Sequence, residues 1–252
     1  MNKQKITAII QARMGSSRLP RNALMPLARK PVLWWMINRI LSTELVDDVI
    51  IATTDSKLNK PINEFCDYYF LNSNIVKVFN YTGNENDVIG RVIEAARQNN
   101  TDIIVDVTGD CPLIDPRHID FLINQLLEND IDYASNCIER SWPDGFDIQV
   151  YYTDTLEECK NIFHPVHHVG VNIGWNPEYF AVLNWVAHSE MHYPSWGLTL
   201  DTQQDYELLK IIFEKFSGDI FFKVEDVVKY INKNPELLKI NSDVRRKAPE
   251  EG

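Results

Sequence analysis

Cysteine is scarce in this chain: four in 252 residues, Cys66, Cys111, Cys137 and Cys159. None forms a CxxC pair, which argues against a zinc or disulfide framework and fits a reducing compartment. Long apolar runs are missing too. No stretch approaches the roughly 18 residues of a membrane span, and the first residues lack the apolar core and small-residue cleavage site of a secretory signal. The expectation is a soluble cytoplasmic protein with no membrane partner. Basic charge is also short, with 25 Lys and Arg against 36 Asp and Glu, a net charge of −11. Such a surface repels phosphate backbones, so nucleic acid is not an expected partner. The GxxxxGK[ST] phosphate loop is absent, as are internal repeats and low-complexity tracts.

What is present is a rhythm. Hydrophobic residues make up 44% of the chain, enough for a sizeable core. Residues 6–12 are an apolar run leading into a loop, and residues 49–54, 76–79 and 103–107 read as further strands. Helices are expected at 32–41, 57–66, 86–98 and 116–128, the last capped by Asp115 and opened by Pro116. This alternation predicts an α/β fold with a mostly parallel sheet covered by helices on both faces. After Tyr133 the rhythm breaks. Residues 142–145 read as a turn, 146–151 as an exposed strand and 153–163 as a helix. Residues 140–196 are expected to form an arm or subdomain of one domain spanning 1–240. Residues 198–201 read as a strand, 202–216 and 224–232 as helices, and 241–252 as a loose polar tail.

The first loop carries the clearest chemical signal. Residues 11–30 hold Arg13, Arg18, Arg21, Arg29 and Lys30, five of the chain's 25 basic residues. Gly15, Ser16 and Ser17 lie among them, at the carboxyl end of the first strand, where ligands of open α/β sheets bind. Small residues let backbone N–H groups approach phosphate oxygens, and arginines add forked donors. The loop suits a polyphosphate; its plain alternative is a solvated basic loop. Thr108-Gly-Asp110 ends the strand at 103–107, and Asp201 ends the one expected at 198–201. Two carboxylates meeting a triphosphate are what Mg2+ needs, since phosphates and water complete its octahedron. Asp110 could instead be a turn residue and Asp201 a helix cap. His164, His167 and His168 are spaced like metal ligands, but Pro165 disfavours a helix through them, and hydrogen-bonded or interface histidines are the preferred reading. Trp34 and Trp35 fall inside the first helix and read as core or interface. Trp142, Trp175, Trp185 and Trp196 are open between a dimer contact and an acceptor wall.

Six segments occur in order: IIQARMGSSRLP ending at Pro20, ATTD ending at Asp55, DVIGR at Asp87–Arg91, TGDCPLID ending at Asp115, PDGFD ending at Asp147, and LDTQQDYEL ending at Leu208. Together they resemble the cytidylyltransferase family of the spore-coat polysaccharide type. That family is related to the synthetases of CMP-3-deoxy-manno-octulosonate and CMP-sialic acids. The resemblance implies a Rossmann-like three-layer nucleotidyltransferase fold with a small dimerisation arm, a homodimer and Mg2+ as cofactor. It also implies transfer of CMP from CTP to a sugar or sugar-acid acceptor with loss of pyrophosphate, in surface polysaccharide or glycoconjugate biosynthesis. Arg13, Gly15, Ser16 and Arg18 would hold the triphosphate, and Gln11 and Ala12 would lie along the nucleoside. Thr53, Asp55, Asp87, Arg91 and Thr108 would line the nucleotide site, and Asp110 and Asp201 would bind the metal. Arg13, Arg18 and Asp110 would be catalytic, and Asp144 and Asp147 would meet the acceptor.

The chain departs from the family pattern at four places. The family reads Arg-Leu-Pro-Gly-Lys where this chain has Arg21-Asn22 after the proline, so a lysine that contacts phosphate is missing; Arg21 could substitute for it. Arg29-Lys30-Pro31 replaces Gly-Lys-Pro, Gln149 replaces a glutamate, and His168-Val-Gly170-Val replaces His-Val-Thr-Pro. Two other functions compete. A nucleotide-sugar-dependent glycosyltransferase would carry Asp-x-Asp where this chain has Thr-Gly-Asp110. A nucleotide-binding homologue with weak or lost catalysis is favoured by the missing lysine.

Overall fold

A computed structural model describes residues 3–163, 169–217 and 219–246. His164, His167 and His168 lie outside the described residues. In chain order the strands are β1 (Ile6–Gln11), β2 (Pro26–Leu27), β3 (Lys30–Pro31), β4 (Asp48–Thr54), β5 (Val76–Tyr81), β6 (Ile103–Thr108), β7 (Tyr133–Ser135), β8 (Gln149–Tyr152) and β9 (Val182–Asn184). The helices are α1 (Val32–Ile40), α2 (Lys60–Phe70), α3 (Val88–Gln98), α4 (Pro116–Glu128), α5 (Thr153–Ile162), α6 (Val171–Gly174), α7 (Gln203–Lys215) and α8 (Val224–Lys233).

The opening apolar run lies inside a seven-stranded sheet of order β5-β4-β1-β6-β8-β7-β9. Ile10 sits between Ile51 of β4 and Val107 of β6, and β5, β4, β1 and β6 all run parallel. A strand paired on both sides and covered on both faces buries every side chain, so it is apolar throughout rather than alternating. Ala8 and Ile10 join the larger core with α1, α4, α7 and α8. Ile9 joins the smaller core on the opposite face with α3 and α5. Three layers result, as the alternation predicted. Asp115 caps α4 as expected, its Oδ1 accepting from Arg117 N, while Asp87 Oδ1 accepts from Gly90 N and Thr202 heads α7 in a capping box with Asp205.

One buried cation ties three segments on one face of the sheet together. Arg39, on α1, donates to the carbonyls of Ile114, Ile220 and Phe222, and its guanidinium lies 4.2 Å from the Phe222 ring centre. Burial lowers its pKa to about 10, which still leaves it charged at neutral pH. Trp35 is core, as expected: it is buried, packs against Phe213 and donates to Leu27 O.

The second half of the chain differs from its sequence reading. Residues 146–151 were expected as an exposed strand. Instead β8 is inside the sheet, antiparallel to both β6 and β7, with Phe146, Ile148, Val150 and Tyr151 buried. With β9 also paired to β7, part of the expected arm is woven into the central sheet. Residues 198–201 do not form a strand. Leu198 N donates to Asp144 O and Leu200 N to Asp110 O, so two separate loops hold the segment and no ladder forms. Of the expected loose tail, residues 241–246 are described, and Asn241 is buried there with its amide donating to Gly197 O and Asp205 Oδ1.

Candidate active site

The carboxyl ends of β1 and β6 open into a cleft of about 850 Å3. The first loop forms one wall. Met14 and Leu19 are buried and anchor it, Met14 N donates to Asn59 Oδ1, and Arg21 N closes the loop onto Met14 O. Arg13, Ser16 and Arg18 are thereby presented to the cleft. The turn after β6 presses against this loop: Gly109 N donates to Gln11 O, and a Cβ at Gly109 would sit 2.7 Å from that oxygen. Only a glycine permits so close an approach, and it carries Asp110 to the same opening.

Asp110 and Asp201 face each other electrostatically. Burial, and then the charge of Asp201, raises the pKa of Asp110. The bond from Leu200 N to Asp110 O brings the two loops together, and Arg18 Nη2 pairs with Asp201 Oδ1 at 2.7 Å. Asp201 is not a helix cap, because Thr202 fills that role. Two half-buried carboxylates whose charges oppose each other fit a hard divalent cation, which relieves the repulsion with oxygen ligands. Among the described residues no group of three or more His, Cys, Asp or Glu could hold a metal, so phosphate or water would supply the other ligands.

Farther along, Arg140 lies between two carboxylates. It donates to Asp147 through Nη1 at 2.9 Å and Nη2 at 2.7 Å, and its Nη1 is 3.3 Å from Asp144 Oδ1. Burial, and then Asp147, raises the pKa of Asp144 to about 7, despite Arg140 and Arg246 nearby. On the cleft floor Asp106 accepts from Gln11 Nε2 at 2.6 Å and Tyr151 OH at 2.9 Å, and burial raises its pKa to about 6. Beside it Arg91 is buried, and its Nε is without a hydrogen-bond partner among the described residues. Arg13 makes no side-chain hydrogen bond or ion pair with any described residue.

Of the residues singled out in the sequence, Gln11, Ala12, Arg13, Ser16, Arg18 and Arg91 line this cleft. Thr108, Asp110, Asp144, Asp147 and Asp201 line it too. Gly15, Arg21, Thr53, Asp55 and Asp87 do not. Arg21 is exposed with φ 64° and heads a short 3-10 turn, so it does not replace the missing lysine inside the cleft. Asn22, at the lysine's position, is buried and donates to Leu200 O. Asp87 is spent on capping α3 and on Lys160, 2.9 Å away. Thr53 is fully buried with its Oγ1 unpartnered among the described residues, and Asp55 is exposed. Two departures from the family pattern meet. Gln149 lines the cleft, accepts from Tyr133 OH and packs over Gly170, where any Cβ would overlap its amide oxygen. Trp175 and Trp196 are on the wall, whereas Trp142 and Trp185 pack around His118. Asp106, Arg140 and Arg246 were missed from sequence. Arg140 stands four residues before Asp144, a spacing that hinted at a pair.

This open, mostly parallel sheet with an arginine-bearing loop and facing carboxylates has the architecture of a nucleotidyltransferase. The sequence profile described as cytidylyltransferase matches residues 7–143, more than half the chain, and the protein belongs to that family. It is 34% identical to the uncharacterized protein MJ1063 of Methanocaldococcus jannaschii over 97% of both chains. To the spore coat polysaccharide biosynthesis protein SpsF of Bacillus subtilis it is 27% identical, over 92% of this chain and 95% of that one. A 3-deoxy-manno-octulosonate cytidylyltransferase of Geotalea daltonii is 38% identical over 50% of this chain and 46% of its own. The solved structure of a cytidylyltransferase from Leptospira borgpetersenii superposes with a TM-score of 0.85 at 31% identity, covering 98% of this chain and all of that one. No helix among the described residues is long and apolar enough to cross a membrane.

Proposed function

We propose that the protein transfers the cytidylyl group of CTP to a sugar or sugar-acid acceptor and releases pyrophosphate, as a step in surface polysaccharide or glycoconjugate synthesis. The observation that carries this reading is the meeting of Arg13, Ser16 and Arg18 with Asp110 and Asp201 in one cleft. The family supports the nucleotide, and the names of the Bacillus and Geotalea relatives support the acceptor class.

Asp110 and Asp201 are the residues that would hold Mg2+, which when bound neutralises triphosphate charge and makes the α-phosphorus more electrophilic. Arg13 and Arg18 stabilise charge moving onto the departing pyrophosphate, so catalysis is mostly positioning and electrostatics. Gln11, Ala12, Thr108 and Arg91 flank the nucleoside, and the unpartnered Arg91 Nε is a donor ready for a ligand acceptor. An acceptor hydroxyl attacks the α-phosphorus, the bond to the bridging oxygen of pyrophosphate breaks, and the proton passes to Asp144. Asp144 suits that task because its pKa of about 7 leaves it a usable base at neutral pH, while Asp147 is clamped by Arg140. A homodimer in the cytoplasm is the working expectation.

The test is pyrophosphate release from CTP and Mg2+ across a panel of 2-keto sugar acids, preceded by a thermal-shift comparison of four nucleoside triphosphates. A CTP-selective shift with turnover supports the reading. A shift without turnover on any acceptor favours the binding homologue, consistent with Asn22 at the lysine's place. No shift with any nucleotide overturns the nucleotide site itself.

A further inference from the structure

Arg246 enters the cleft from a segment for which the family resemblance assigns no role. Its Nη2 donates to Asp205 Oδ1 at 2.6 Å and its Nη1 to Thr199 Oγ1 at 3.1 Å. That same Nη1 lies 3.9 Å from Asp201 Oδ2. Asp205 is fully buried: its Oδ2 accepts from the backbone N–H groups of Asp201 and Thr202, and its Oδ1 accepts from Asn241 as well as from Arg246. Thr199 Oγ1 in turn donates to Asp201 Oδ2 at 3.2 Å. Arg246 therefore grips the 199–205 segment on both sides of Asp201.

The site is built to receive this side chain. Gly197 lies under the guanidinium, and the nearest atoms a Cβ there would overlap are those of Arg246. Asn241 fastens the same segment, its amide donating to Gly197 O at 2.8 Å. From the opposite wall Asn22 holds Leu200 O at 3.1 Å. A segment that forms no strand is thus fixed by side chains at residues 22, 205, 241 and 246. Without them the segment would keep the backbone bonds from Leu198 and Leu200 and the Arg18 pair with Asp201, but no described residue outside it would hold the far side of Asp201.

We propose that Arg246 is a positioning residue for the cation site: acting through Thr199 and Asp205, it holds Asp201 toward Asp110. The carboxyl-terminal segment is then a working wall of the cleft. This rests on the reading of Asp110 and Asp201 as the cation pair. Groups that orient a ligating carboxylate typically change metal affinity by roughly 10- to 100-fold when removed.

The experiment uses the full chain with R246A, R246K and G197A. G197A keeps Arg246 but pushes its guanidinium off the glycine, and the arginine's flexible end can yield without disturbing the backbone. Each variant is checked for folding by thermal melting. Mn2+ binding in the presence of CTP is followed by electron paramagnetic resonance, and CTP binding without metal by calorimetry. The expected result is a loss of Mn2+ affinity of at least about 10-fold in R246A and G197A, partial rescue in R246K, and little change in metal-free CTP binding. Wild-type Mn2+ affinity in R246A or G197A overturns the proposal, as does an equal loss of metal-free CTP binding. If R246A does not fold, G197A decides; failure of both to fold makes Arg246 a structural residue and also overturns it. A wild-type chain that binds neither Mn2+ nor CTP instead sinks the nucleotidyltransferase reading.

Discussion

Two arginines at opposite ends of the cleft, Arg13 and Arg140, are held in opposite ways. Among the described residues Arg13 has no hydrogen-bond or ion-pair partner, and Arg18 pairs only with Asp201, at 2.7 Å. At the far end Arg140 is forked onto Asp147 and also touches Asp144. An arginine without an internal counter-ion is available to an anion; one already satisfied by carboxylates is a structural clamp. Under the proposed function, the first end takes the polyphosphate and the second a hydroxyl-bearing acceptor, and the contrast supports that division.

The largest expected effect comes from Asp110. Changing it to Asn keeps shape and imitates the protonated form, which burial already favours, so folding should survive. Turnover should fall by about 10³-fold, roughly 4 kcal/mol of transition-state stabilisation. Near-normal kcat in folded D110N would remove Asp110 from the chemistry and leave the first end a binding site only. Next in size is R13A, for which about a 10²-fold loss in kcat/KM for CTP is expected, with unchanged melting because no hydrogen bond or ion pair among the described residues is lost. Should R13A melt lower and bind CTP normally, the two ends would no longer differ in the way argued.

Asp106, on the floor between the ends, gives a pH test. Its pKa is raised to about 6 from an ordinary value near 3.8. Between those two values the folded state holds a proton that the unfolded chain has released. The folded protein then binds more protons, so this group's contribution to stability falls as pH rises from about 4 to 6. D106N has no such titration. Relative to wild type it should gain on the order of 2 kcal/mol between pH 4 and pH 7.5, read from urea midpoints. Equal pH slopes in the two proteins would mean that Asp106 ionises without penalty and that the floor is wetter than its burial indicates.

How legible the molecule was follows the same division. β1, β4 and β6 announce themselves because a parallel strand covered on both faces is an apolar run, and the loop after β1 concentrates arginines that the rest of an acidic chain lacks. β8 was misread because Asp147 and Gln149 alternate with Phe146, Ile148 and Val150. Polar residues facing a cleft have the same period as polar residues facing solvent. Residues 198–201 look like a strand by composition, yet their hydrogen bonds go to Asp144 and Asp110. Arg246 left no trace at all: docking through a guanidinium and a buried carboxylate needs no apolar period.

Removing the clamp itself has the smallest effect and makes the sharpest contrast with R13A. In R140M the methionine keeps much of the stem's packing but leaves Asp144 and Asp147 facing each other with no cation between them. Breaking a buried pair costs several kcal/mol, but the Arg140 side chain is 34% exposed and that of Asp147 20%. Solvent screening reduces the expected loss to about 1 kcal/mol, or about 3 °C in melting temperature for a chain of this size. The repulsion should also push Asp144 further above its present value of about 7, so the rising limb of the kcat profile should move to higher pH. CTP affinity should stay at the wild-type level. A variant that melts normally while losing CTP would make Arg140 a phosphate ligand, and the two ends of the cleft would have to be exchanged.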